Sequence, residues 1–246
     1  MKNTFGNALC VTIFGESHGK SIGAVIDGLA PGMEINLDYI NEKTALRRPA
    51  GAISTARREP DPISFESGVF EGKTTGTPLC IRIKNSDTKS SDYAAMKSIA
   101  RPGHADYSGY CKYEGFGDYR GGGHFSGRIT AALVAAGSIV RYTLEQKDIL
   151  IGSHIKEIAG ISDSSFENPK EQIPLVFKSS FPLLDRSVEE AMKKEILKAK
   201  EDLDSVGGII ETAVTGLGAG LGEPFFDTAE GIISHGVFSV PAVKGI

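Results

Sequence analysis

Residues 9–26 read LCVTIFGESHGKSIGAVI: two short β-branched runs, Leu9 to Phe14 and Ile22 to Ile26, broken by a turn carrying Gly15 and Gly19. Branching at Cβ favours extended backbone and glycine permits the turn, so the stretch predicts a pair of strands. Outward from it, strand and helix patterns mix. Leu79 to Lys84 places Leu79, Ile81 and Ile83 on one face and Arg82 and Lys84 on the other, the period of a half-buried strand. Ile63 to Phe70 reads as one strand, with Ile63, Phe65 and Val69 on a common face. Leu37 to Arg47 reads as a helix with Asn36 as N-cap, and Arg128 to Gln146 as a buried helix of Ala, Val, Ile and Leu. Ile149 to Ile158 returns to strand character. Ser187 and Glu190 have the spacing of a capping box opening a helix to about Leu203, with Glu189/Lys193 and Glu190/Lys194 at i, i+4. Residues 160–184 read as a polar, proline-containing connection. The mixture predicts the α/β class.

The chain has 246 residues, 40% hydrophobic and 24% charged, the balance of a soluble globular protein with a sizeable core. It has no apolar run long enough to span a bilayer, and its first residues lack the apolar stretch of a signal peptide. Cys10, Cys80 and Cys111 form no C-x-x-C pair, which excludes a zinc ribbon, fits a reducing cytoplasm and predicts buried structural thiols. The net charge of −4 offers nucleic acid no general basic surface. Arginine is nonetheless concentrated: Arg47, Arg48, Arg57, Arg58, Arg101, Arg120 and Arg128 all fall within 47–128. A guanidinium matches phosphate and carboxylate oxygens in a way an ammonium does not, so either a small polyanionic ligand or scattered surface ion pairs explain the cluster.

Glycines cluster with polar side chains at three places. In Gly15-Glu16-Ser17-His18-Gly19 they flank a Ser-His pair. The segment satisfies G-x-S-x-G, but a single strand precedes Ser17 and no HGGG-type segment lies upstream, which argues against a hydrolase elbow. It also falls one residue short of a P-loop. Arg101-Pro102-Gly103-His104-Ala105-Asp106 sets a histidine on a Pro-Gly turn without a second metal-ligand pair, so His104 reads as structural or as a proton carrier near neutral pH. Asp118-Tyr119-Arg120 followed by Gly121, Gly122 and Gly123 runs into the apolar helix, an arrangement whose backbone N–H groups suit an anion. No G-x-G-x-x-G occurs, which argues against a Rossmann dinucleotide site.

Taken together, FGESHG (14–19), RRP (47–49), RREPD (57–61), SGVFEGKTTGTP (67–78), RPGHADY (101–107), DYRGGG (118–123), AGLGEPFFD (219–227) and PAVKG (241–245) closely resemble the chorismate synthase family, in order along the chain. The resemblance implies a layered β-α-β sandwich over residues 1–246, with helices packed between sheets and a homotetrameric assembly. It implies a phosphate elimination from 5-enolpyruvylshikimate 3-phosphate that requires reduced FMN. His18 would then protonate the leaving phosphate and His104 the reduced flavin. Ser17, Arg47, Arg48, Arg120 and Arg128 would bind the substrate's phosphate and two carboxylates.

Arg47, His124, Phe125, Ser126 and Ala242 would contact the cofactor. Many members have Arg-Ser-Ser where this chain has His124-Phe125-Ser126. An arginine at position 47 is associated with members that reduce their own flavin with NADPH; the alternative partner is a separate flavin reductase. Family members continue beyond PAVKG, and the apolar stretch from Phe238 to Ile246 reads as a cut through structure. The expectation is therefore a C-terminally truncated enzyme, with a non-catalytic fragment that keeps only anion binding or subunit contacts as the alternative.

Overall fold

The strands expected within 9–26 form as β2 and β3 of a computed structural model that describes residues 2–49, 51, 53–54, 60–86, 97 and 99–246. In chain order the described elements are β1 (Thr4–Phe5), β2 (Cys10–Gly15), β3 (Ser21–Asp27), α1 (Leu37–Ala45), β4 (Ile63–Ser67), β5 (Val69–Phe70), β6 (Lys73–Thr74) and β7 (Leu79–Lys84). There follow α2 (Asp106–Lys112), α3 (Thr130–Glu145), β8 (Leu150–Ile158), β9 (Ile161–Ser162), α4 (Pro169–Val176), α5 (Glu189–Glu201), β10 (Gly208–Thr215) and α6 (Ala229–Val237). The fold is of the α/β class. The backbone divides into two compact units, one of residues 1–47, 58–140 and 220–246, the other of 48–57 and 141–219.

The first unit is built on an antiparallel sheet in the order β1-β2-β3-β7-β4. β7 buries Leu79, Ile81 and Ile83 completely, as its alternation predicts, and β3 buries Ile22, Ala24 and Ile26. These join one core with Ile40 of α1 and with Ala131, Ala132, Ala135, Ala136 and Ile139 of α3. Alanine's short side chain lets the helix backbone come close to that core. Asn36 caps α1, its side chain accepting the Tyr39 N–H at 2.9 Å.

The single strand expected over 63–70 is two. Gly68, at φ 81°, lies so close to Leu79 that a Cβ would strike its backbone, and the chain turns there. Val69–Phe70 then pairs with β6 instead of β7.

The second unit has an antiparallel sheet in the order β10-β8-β9. Its core holds Phe181, Leu183 and Met192, with Ile155, Ile158, Val188 and Ile196 packed against them. Gly152 of β8 admits α4: a Cβ there would meet the Ile173 side chain at 2.6 Å. The connection expected at 160–184 thus contains both β9 and α4. The capping box at Ser187 does not form. Asp185 takes the Ser187 N–H at 2.8 Å, opening one 3-10 turn, and α5 begins at Glu189 without a side-chain cap. Glu189 pairs with Lys193 at 2.6 Å as expected, but Glu190 also pairs with Lys193, at 3.4 Å.

The cysteines are all free, with Cys10 and Cys80 half-buried and Cys111 exposed, so the expected burial does not hold. Among the described residues no helix is long and apolar enough to cross a membrane. Arg57 and Arg58 lie outside the described residues.

Candidate functional site

The turn between β2 and β3 carries Ser17 and His18, and both side chains are buried, at 0% and 7% exposure. A buried polar pair must find partners, and the glycine segment at 121–123 supplies them. The Ser17 hydroxyl lies 3.1 Å from the Gly121 carbonyl oxygen and 3.3 Å from that of Arg120, while its backbone N–H donates to Gly123 O at 3.1 Å. It also lies 2.9 Å from His18 Nδ1. Ser17 has one proton and carbonyls can only accept, so that proton goes to the carbonyls and His18 Nδ1–H donates to Ser17. Nε2 is then the nitrogen that gains or loses a proton.

Gly121, Gly122 and Gly123 all have positive φ, at 59°, 87° and 54°. That left-handed path aims the segment's carbonyls at Ser17, which differs from the expected cradle of N–H groups. The N-terminal turn at 127–129 is likewise closed from within, Ser126 Oγ accepting the Arg128 N–H at 3.3 Å. His124 ties the segment to β2, with Nδ1 2.7 Å from Gly15 O. Phe125 is 45% exposed, its ring 5.9 Å from that of Tyr113.

Carboxylates hold the arginines near this turn. Arg120 grips Asp118 through Nε and Nη2, at 2.8 and 2.7 Å. These bonds are the main reason the Asp118 carboxyl sits below its usual range, and the charge of His18 adds to the effect. Arg128, buried, forms an ion pair with Asp61 and donates from Nε to Asn85 Oδ1 at 3.2 Å. Arg47 donates to Gly127 O at 3.0 Å and to Thr130 Oγ1 at 2.8 Å, and its Nη1 lies 3.9 Å from Asp61. Arg48 is exposed and belongs to the second unit.

His104 stands apart from this network. It is exposed on its own turn, with Nδ1 3.1 Å from Pro102 O. Arg101 and Asp106 clasp that turn with bonds of 2.8 and 2.9 Å. Ala242 is exposed near the last residues, at φ 71°. The structure therefore joins Ser17, His18, Arg120, His124, Ser126, Arg128 and Arg47 through shared partners, while the contacts of His104 are those of its own turn.

Asn85, Asp61 and Asp118 were not among the expected site residues. Asp61 and Asp118 lie within the arginine-bearing motifs RREPD and DYRGGG, and a carboxylate beside clustered guanidiniums is the available signal. Asn85, at the end of an ordinary strand, has none. A second buried polar group lies in the other unit: His154, fully buried, is held by Asp163 at 2.9 Å and Glu211 at 2.7 Å. Among the described residues no cluster of three or more His, Cys, Asp or Glu is arranged to hold a metal.

A family model described as chorismate synthase matches residues 9–246. A chorismate synthase of a Nitratiruptor species is 43% identical over 245 residues, 99% of this chain and 67% of that protein. One from Archaeoglobus fulgidus is 40% identical, again over 99% and 67%. A solved structure titled "Crystal Structure of Chorismate Synthase" superposes with a TM-score of 0.75 at 28% identity, over 96% of this chain and 66% of that one. The chain thus spans about two thirds of the length of the relatives it matches.

Proposed function

The chain belongs to the chorismate synthase family, and from that premise we propose that its protein removes phosphate and a ring hydrogen from 5-enolpyruvylshikimate 3-phosphate by anti-1,4-elimination, the C–H and C–O bonds both breaking as the new C=C bond of chorismate forms. It is then a carbon-oxygen lyase acting on phosphates, in aromatic amino-acid biosynthesis. The observation that carries this reading is His18, buried and oriented through Nδ1 by Ser17 at 2.9 Å. As phosphate departs with the cleaved C–O bond, charge grows on its oxygens. A proton delivered from His18 Nε2 and guanidinium hydrogen bonds lower that charge. Arg47, Arg48, Arg120 and Arg128 are the donors assigned to the phosphate and the two carboxylates. Salt bridges to Asp118 and Asp61 keep Arg120, Arg47 and Arg128 oriented before substrate arrives.

The chain's residues suit a reduced flavin in one respect that bears on chemistry: Phe125 presents an exposed aromatic ring beside the segment that orients His18. His124, Phe125, Ser126, Arg47 and Ala242 would hold the FMN, with Ser126 Oγ and His124 Nδ1 already engaged by backbone partners. When bound, reduced FMN would supply an electron transiently, with no net redox change. His104, exposed on its own turn, would hold a proton for the flavin. Arg47 would hold NADPH where the flavin is reduced in place; otherwise a separate flavin reductase would supply it reduced. The working form is a cytoplasmic homotetramer.

The test is anaerobic assay of the purified protein with reduced FMN and 5-enolpyruvylshikimate 3-phosphate, following chorismate absorbance. Wild type forms chorismate, and His18→Ala and His104→Ala each lose turnover while keeping the native circular dichroism. Absence of product from wild type rejects the activity; undiminished turnover in either variant rejects that histidine's role.

A further inference from the structure

We propose that Asn85 is a positioning residue that sets the orientation of the Ser17–His18 turn relative to Arg128, an inference that rests on the catalytic reading of His18 given above. Asn85 follows the last residue of β7 and is half-buried. Its Nδ2 donates to Glu16 O and to Gly19 O, each at 2.9 Å, so both amide hydrogens go to the two carbonyls that bracket Ser17 and His18. Its backbone N–H donates to Lys20 O at 3.3 Å. Its Oδ1 accepts from Arg128 Nε at 3.2 Å.

The amide has one workable orientation. Turned over, it would set its oxygen against two carbonyl oxygens and its NH2 against a guanidinium N–H, acceptor facing acceptor and donor facing donor. The turn itself is short, Gly19 N–H closing onto Glu16 O at 3.0 Å, so a tie at each end fixes the two residues between. The opposite side of that turn is held by Gly121, Gly123 and Arg120 through Ser17. The imidazole is thus clamped from two sides, and Asn85 is the side that also reaches a proposed substrate-binding arginine. Arg128 in turn bears on Asp61 and, through it, Arg47.

Asn85→Asp tests this, because a carboxylate of the same shape keeps the acceptor for Arg128 but cannot donate to Glu16 O or Gly19 O. The decisive readout is the imidazole 1H–15N spectrum of the free protein, in which the His18 signals are assigned by their loss in His18→Gln. The expected result is that Asn85→Asp shifts the His18 signals and leaves those of His154 in place. The same variant is expected to lower kcat about 10- to 100-fold, the cost of misplacing a proton donor, with KM changed less than about twofold.

His18 signals identical to wild type overturn the proposal whatever the turnover. If wild type itself makes no chorismate yet the His18 signals still move, the positioning inference stands and the catalytic reading falls. Asn85→Ala, which removes the ties without adding charge, gives the same readout should the aspartate variant not fold.

Discussion

Gly121 is folded directly onto His18: a β-carbon at Gly121 would occupy the space of the imidazole Cε1 and Nδ1 and would press on the Ser17 hydroxyl. The glycine is required twice over, since its φ of 59° is also one that other residues adopt at a cost. Gly121→Ala is expected to cost about 1–2 kcal/mol in stability for the backbone conformation and about 1–3 kcal/mol more for the overpacking. It should lower the elimination rate about 100-fold by displacing the imidazole. Urea denaturation and the chorismate assay measure the two effects separately.

Asp61 anchors two guanidiniums. It is 6% exposed, paired with buried Arg128 and 3.9 Å from Arg47. Asp61→Asn takes the carboxylate from a buried cation, and a buried charge deprived of its partner typically costs about 3–5 kcal/mol. The midpoint of chemical denaturation should fall accordingly. An unchanged midpoint would show that the ion pair has no such weight.

His154 presents one ring nitrogen to Asp163 and the other to Glu211. Asp163 has no exposed side-chain surface and also accepts the backbone N–H groups of Leu184 and Asp185, at 2.7 and 2.8 Å. His154→Ala removes one of that carboxylate's donors and empties a fully buried ring site, with an expected loss of about 2–5 kcal/mol. Glu211→Gln, whose amide oxygen still accepts, should lose only about 1 kcal/mol. Urea denaturation of the two variants beside wild type measures both losses.

Acid should expose the Arg101–Asp106 clasp. The side-chain hydrogen bonds from Arg101 are the first cause drawing the Asp106 carboxyl down to about 2 from its ordinary 3.8. A carboxyl with a depressed folded-state pKa stabilises the fold above its unfolded value, and the contribution is lost as pH falls through the folded one. The melting temperatures of wild type and Asp106→Asn should therefore differ at pH 5 and converge between about pH 4 and pH 2. Glu211, lowered first by its bond to His154, follows the same sign in acid. A constant difference across that window would count against the clasp.

Much of the first unit was legible in the chain itself. The alternation of Leu79, Ile81 and Ile83 reappears as three fully buried side chains, and Asn36 caps the helix it precedes. These features are local: period and capping act over a few residues, so they survive in one dimension. The His154 site was not legible. The sequence reading gives the stretch from Ile149 to Ile158 strand character and no more, because Glu211 is 57 residues away and Asp163 lies beyond the next turn.

By itself the sequence determined the α/β class, the strand pair around the Ser-His turn, and the motifs by which the chain is known as a chorismate synthase relative. Only the tertiary structure decided that the three glycines turn carbonyls toward Ser17, that Asn85 ties the same turn to Arg128, and that His104 keeps to its own clasped turn. The division follows from range. Propensity and motif are written in neighbouring residues, whereas the direction of a hydrogen bond between residues 85 and 16, or 17 and 121, depends on how far apart the packed backbones come to rest.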